Sequence, residues 1–199
     1  MTRARTLWTV LAAAVVVVLA LAFLVPRLGN DDDSSGTLPP VALEATPSAC
    51  PTPSAATPDA AALIAPSFTG TALDGSAVDS DCLWADHPVV ITFLTSWCGQ
   101  CQQRQDALSE LARTYAGQLG FVAVATQDSA DALTAFATQH TIDYPVVLDD
   151  AGAIWRSYAI REPPAIAVVG RGGRLLRGWP GGKDAAELTT ELRSLKLIS

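Results

Sequence analysis

Two cysteines separated by two residues follow directly on an unbroken apolar stretch, and this arrangement limits the folds open to the chain more than any other feature. The stretch "PVVITFLTS" (88–96) is β-branched and almost wholly apolar. Such a run fits a central strand buried on both faces, not the alternating pattern of a half-exposed one. Trp97, Cys98, Gly99, Gln100 and Cys101 come next, and a helix is predicted from Gly99 to Tyr115 with Leu108 and Leu111 on its apolar side. Cys98 is thereby placed at a helix N-terminus, where unpaired backbone N–H groups and the helix dipole favour an anion. Its thiol is expected to fall from about 8.5 toward about 7 or below. The thiolate is the form that attacks a disulfide. Cys101, one turn later, is placed to close an intramolecular disulfide and release the substrate. Cys98 is expected to be exposed and Cys101 buried, with Gly99 letting the chain pass tightly between them.

A C-x-x-C pair also serves as an inert buried disulfide or as half of a zinc site. Zinc commonly takes four ligands from paired clusters. Here Cys50 and Cys82 stand alone in the sequence, and His87 and His140 form no cluster. The redox reading is therefore preferred, with neither a metal nor a cofactor expected. Cys50 and Cys82 are expected to form a structural disulfide, because an exported protein seldom leaves two thiols free.

The rest of the chain alternates strands and helices. "SFTGTALDGSAVD" reads as a short hairpin turning at Asp74-Gly75, a favoured two-residue turn. Strands are predicted at 120–126, 144–149 and 165–170, with a further extended stretch, "RLLRGW", after the turn at Gly172-Gly173. Helices are predicted at 129–140 and 183–195, and a helical turn near Ile154–Tyr158. That order implies an α/β fold with a sheet covered on both faces. Trp84, Trp155 and Trp179 are expected to pack, and His87 to be a solvated loop residue.

Residues 7–25 are apolar and uncharged, close to the roughly 20 residues that span a bilayer. Arg3 and Arg5 precede this run, while Arg27 after it is followed at once by Asp31, Asp32 and Asp33. By the positive-inside rule, residues 1–6 are expected in the cytoplasm and the chain beyond the span outside, with Ala20 and Ala22, an imperfect match to a signal-cleavage site, leaving removal of the segment as the alternative. Residues 26–61, rich in Pro, Ser, Thr and Ala, read as a flexible linker. Residues 62–199 form the globular domain. The net charge of −7 argues against a nucleic-acid partner.

"ITFLTSWCGQC" resembles the strand and active-site segment of the thioredoxin superfamily. Together with "APSFTGTALDGSAVD", it makes roughly residues 62–190 similar to the extracytoplasmic TlpA/ResA-like thiol–disulfide oxidoreductases, redoxin-domain proteins. The resemblance implies a thioredoxin-like fold: a central mixed sheet with helices on both faces, an N-terminal β-hairpin and a single transmembrane helix. It also implies a cis-proline at Pro164 that lies against the cysteine pair and helps receive the substrate chain, and makes Trp97 a site-flanking aromatic. Two departures stand out. Relatives carry an Asp six residues before the first cysteine, where this chain has Thr92. ResA-like proteins carry a Glu three residues after the second cysteine, where this chain has Arg104, a candidate modulator of the thiol pKa. The helix-kinking proline two residues further on is Asp106.

The function expected is dithiol–disulfide exchange with exported thiol- or disulfide-containing proteins, at the outer side of the cell membrane. A membrane redox partner would recycle the pair. The alternatives are a non-catalytic binding or assembly module of the same fold, and a thiol peroxidase. Peroxidases of that type set the reactive cysteine in a Pro/Thr-rich turn, and none surrounds Cys98.

Overall fold

Residues Val89–Leu94 form strand β3, and all six are buried, as their apolar sequence predicts. The structure, a computed structural model, describes Cys50 and residues 63–199. The predicted membrane span at 7–25, its cytoplasmic flank and all of the linker except Cys50 lie outside the described residues. Among those described, no helix is long and apolar enough to cross a membrane.

Five strands form one mixed sheet in the order β5 (Val146–Leu148), β4 (Gly120–Ala125), β3, β6 (Ala165–Gly170), β7 (Arg174–Pro180). β3 runs parallel to β4 and antiparallel to β6, so the sheet changes character at its central strand. Among the described residues, five α-helices accompany it: α1 (Ser80–Leu83), α2 (Gly99–Thr114), α3 (Ala130–Gln139), α4 (Ala153–Ser157) and α5 (Ala185–Ser194). The four helices expected from the sequence are present, with ends displaced by no more than two residues. The four-residue α1 is an addition, too short to carry a helical periodicity. Asp79 caps it, its carboxylate accepting from the Asp81 amide at 2.9 Å.

The pleat of β3 sorts the core into two layers. Val89, Ile91 and Phe93 face a cluster containing Phe68, Trp84, Trp155 and partly buried Tyr158. Val90 faces Leu108, Leu111, Leu188 and Leu192, contributed by α2 and α5. Leu94 faces Cys98, Cys101, Leu133 and Phe136. Phe93 meets Trp155 edge-on at 5.9 Å between ring centroids. Truncating such a core phenylalanine to alanine costs about 3–5 kcal/mol.

The expected hairpin forms from β1 (Thr69–Thr71) and β2 (Ala77–Asp79). At its turn, the Asp74 carboxylate accepts from the Ser76 amide at 2.9 Å, and Gly75 adopts φ 85°, which a glycine takes without strain. Leu73 donates to the Val146 carbonyl at 3.0 Å, so the hairpin covers the outer edge of β5.

Candidate active site

β3 delivers the chain to the cysteines through Thr95, Ser96 and Trp97. Two contacts pin this turn to the loop after β4. The Asp128 carboxylate accepts from the Ser96 amide and from Ser96 Oγ, the latter at 2.8 Å, and Trp97 Nε1 donates to the Gln127 carbonyl at 3.1 Å. The Trp97 indole is nonetheless 59 % exposed beside the cysteine pair. Asp128 and Gln127 were not foreseen, because 30 or more residues separate them from the turn they hold.

Cys98 is the N-cap of α2, and its Sγ accepts from the Cys101 amide at 3.1 Å. This bond stabilises a thiolate at Cys98, since an anionic acceptor strengthens it and the helix dipole adds to it. The two cysteines are joined, with Cα atoms 5.2 Å apart. Two expectations need correction. Cys98 is not exposed: it is 6 % accessible against 4 % for Cys101, because Leu94 and Phe136 belong to the cluster that surrounds both sulfurs. Gly99 is not needed for a tight passage, since a Cβ there would meet nothing within 4 Å and its φ lies outside the left-handed region. Gln100 is exposed in the first turn of α2.

The Pro163–Pro164 peptide bond is cis. Pro164 and Cys101 line one small cavity of about 20 Å³ together with Thr92, Arg104, Gln105 and Lys183. Arg104 does not simply extend into solvent: Nη1 donates to the Gly181 carbonyl at 2.8 Å, bridging α2 to the turn after β7. Lys183 Nζ lies 3.6 Å from a Glu191 carboxylate oxygen and 5.6 Å above the Trp179 ring centroid. The cavity wall thus holds two cations and no carboxylate.

A second polar layer lies deeper. Gln105, 1 % exposed, donates through Nε2 to Tyr144 Oη at 2.7 Å and to Ser109 Oγ at 3.1 Å. Burial pushes the Tyr144 phenol up to about 12, against the opposing hydrogen bonds from Gln105 and Thr92. Asp106 meets the buried His140 Nδ1 at 2.7 Å. With Arg113 Nη1 donating to the Thr141 carbonyl at 2.9 Å, these bonds fasten α2 to the segment between α3 and β5.

Away from the pair, Cys50 and Cys82 come to disulfide distance, Cα–Cα 4.9 Å, as expected. Their sulfurs and an Asp79 carboxylate oxygen lie within 4.8 Å of one another. While the sulfurs are joined, neither is the thiolate that a metal needs.

The AhpC/TSA family model matches residues 62–177 of the chain. The chain belongs to the AhpC/TSA family. Soluble secreted antigen MPT53 of Mycobacterium tuberculosis is 30% identical to it over 78 residues, which are 39% of this chain and 44% of that protein. The thiol-disulfide oxidoreductase ResA of Bacillus cereus is 22% identical over 108 residues, 54% of this chain and 62% of ResA. This AhpC/TSA-family chain therefore matches less than two thirds of the length of these curated relatives. Among solved structures, a secreted Mycobacterium tuberculosis disulfide oxidoreductase homologous to E. coli DsbE superposes with TM-score 0.58 at 26% identity, covering 64% of this chain and 95% of that one. A thiol:disulfide interchange protein of the thioredoxin family from Chlorobium tepidum superposes with TM-score 0.62 at 22% identity, covering 70% and 99%, a likeness of fold. The domain is thioredoxin-like.

Proposed function

We propose that this chain is a thiol–disulfide oxidoreductase acting on thiol- or disulfide-containing proteins through Cys98 and Cys101. The observation that carries the reading is the Cys98 Sγ acceptor bond at the N-terminus of α2, with Cys101 one turn on beside cis-Pro164. In the reducing direction, the Cys98 thiolate attacks a client disulfide, forming a Cys98–client bond and expelling one client thiolate. Cys101 then attacks Cys98 Sγ, forming the internal disulfide and expelling the second client sulfur. The client gains two electrons and the pair loses two. In the oxidising direction the same steps run backwards. Trp97 and Pro164 flank the sulfurs where a client chain would lie.

The apolar run at 7–25 and the arginines before it support a further part of the reading. The domain is held by an N-terminal anchor at the outer side of the cell membrane, with Cys50–Cys82 closing the linker onto the domain, and a membrane redox partner recycles the pair. Protease digestion of intact and lysed cells tests the topology. A domain protected in intact cells and cut only after lysis contradicts it.

An insulin-reduction assay with dithiothreitol tests the activity and separates it from a non-catalytic binding module. Turnover that disappears in Cys98→Ser is expected. Absence of turnover in the parent chain contradicts the enzymatic reading.

A further inference from the structure

Gln105 lies one helical turn beyond Cys101 and is almost wholly buried. Both Nε2 protons are engaged, one by Tyr144 Oη at 2.7 Å and one by Ser109 Oγ at 3.1 Å. In this arrangement Nε2 faces the two hydroxyls and Oε1 does not. Among the described residues nothing donates to its carbonyl oxygen, Oε1. Gln105 lines the cavity of about 20 Å³ next to Cys101, about the space that one water requires. Thr92 lines the same wall, its hydroxyl donating to the Val122 carbonyl. With its donors engaged elsewhere, Gln105 has only an acceptor left to offer there.

The closing step needs a route for a proton. Cys101 is 4 % exposed, and among the described residues no carboxylate lines its cavity. The charged and titratable groups facing it are Arg104 from α2, Lys183 from the segment before α5 and, behind Gln105, Tyr144 from the segment before β5. Asp106, on α2, faces His140, and Asp128 is engaged by Ser96. Arg104 and Lys183 are donors with no acceptor to offer, and burial makes the Tyr144 phenol hold its proton more tightly than usual.

We propose that Gln105, locked by Tyr144 and Ser109, is a positioning residue for disulfide closure: its Oε1 orients the single water that takes the proton from Cys101. This rests on the reading above, in which Cys101 closes the disulfide. As Cys101 attacks Cys98 Sγ, its proton passes to that water while the water hands one of its own on, so that no charge is left on the water. The Cys98–client bond breaks, and the client sulfur leaves with the electron pair and takes a proton back from the water. A Cys101 thiol and a mixed disulfide become an internal disulfide and a client thiol, and the water is regenerated.

Single-turnover kinetics of the reduced full chain with a peptide disulfide test this, with the mixed disulfide followed by acid quench and mass spectrometry across a range of pH. Gln105→Met keeps the length and removes the acceptor, and is expected to slow closure about tenfold or more. Tyr144→Phe removes the hydroxyl that locks the amide, and is expected to slow closure in the same direction. Gln105→Glu restores an acceptor and is expected to recover the rate, with a pH profile that now includes the new carboxylate. Closure at the parent rate in Gln105→Met overturns the role. Should that variant not fold, closure in Tyr144→Phe at the parent rate throughout the pH range overturns it equally. If the parent chain forms no mixed disulfide at all, the reading of the pair fails and this proposal fails with it.

Discussion

Arg104 Nη1 donates to the Gly181 carbonyl at 2.8 Å, and that bond holds a guanidinium on the wall of the Cys101 cavity. A cation near the pair favours thiolates, which stabilises the reduced form and makes the disulfide more oxidising. The Cys98 thiol is expected to titrate below about 7. Arg104→Glu should raise it by on the order of one unit and lower the reduction potential. The rate of Cys98 alkylation against pH measures the first effect. A parent value above about 7.5, or no rise in the variant, contradicts the electrostatic account.

Cys50 and Cys82 are 32 residues apart in sequence and stand at disulfide distance. In the chain-entropy account, closing a loop of that size stabilises the fold by about 3–4 kcal/mol. Replacing both cysteines by alanine should lower the unfolding free energy by a matching amount and shift the denaturant midpoint down, with a steeper slope because the unfolded chain is freed to expand. An unchanged midpoint contradicts the pairing, as does peptide mapping that finds both thiols free.

Gly99 begins α2 with open space where a Cβ would go. Gly99→Ala should therefore be accepted without strain and raise stability by up to about 1 kcal/mol through helix propensity. Thermal unfolding measures this. A marked loss of stability would show that the backbone there needs glycine after all.

The Tyr144 phenol is raised from 10.0 to about 12, chiefly by burial. Below pH 10 both folded and unfolded chains keep this proton, and it has no effect on stability. Between about pH 10 and 12 the unfolded chain has lost it while the folded chain retains it, so stability falls as pH rises. Tyr158 is shifted in the same direction by its own burial. Denaturant titrations at rising alkaline pH should show a shallower fall in Tyr144→Phe than in the parent. Equal slopes contradict the shift.

Much of the fold is legible in the sequence because its signals are local. The unbroken run at Val89–Leu94 needs two covered faces, Asp74-Gly75 specifies its own turn, and Leu108 and Leu111 mark the buried side of α2. The cysteine pair is legible for the same reason, since its position between strand and helix is a matter of adjacent residues. What the sequence conceals depends on distant contacts. Nothing local to Gln105 marks it out, because the Tyr144 hydroxyl that accepts its hydrogen bond lies 39 residues on. Arg104 reads as solvated until Gly181, 77 residues on, comes within reach. The burial of Cys98 likewise comes from Phe136 and Leu94, which only the folded packing brings together.

Trapping distinguishes the attacking sulfur, Cys98, from the resolving one, Cys101. Cys101→Ser and Cys98→Ser variants of the full chain are incubated with client proteins, the thiols are blocked, and mixed disulfides are resolved on non-reducing gels. Cys101→Ser is predicted to accumulate reducible mixed disulfides through Cys98, because the closing sulfur is gone. Cys98→Ser is predicted to accumulate few. Accumulation in Cys98→Ser but not in Cys101→Ser would contradict the account.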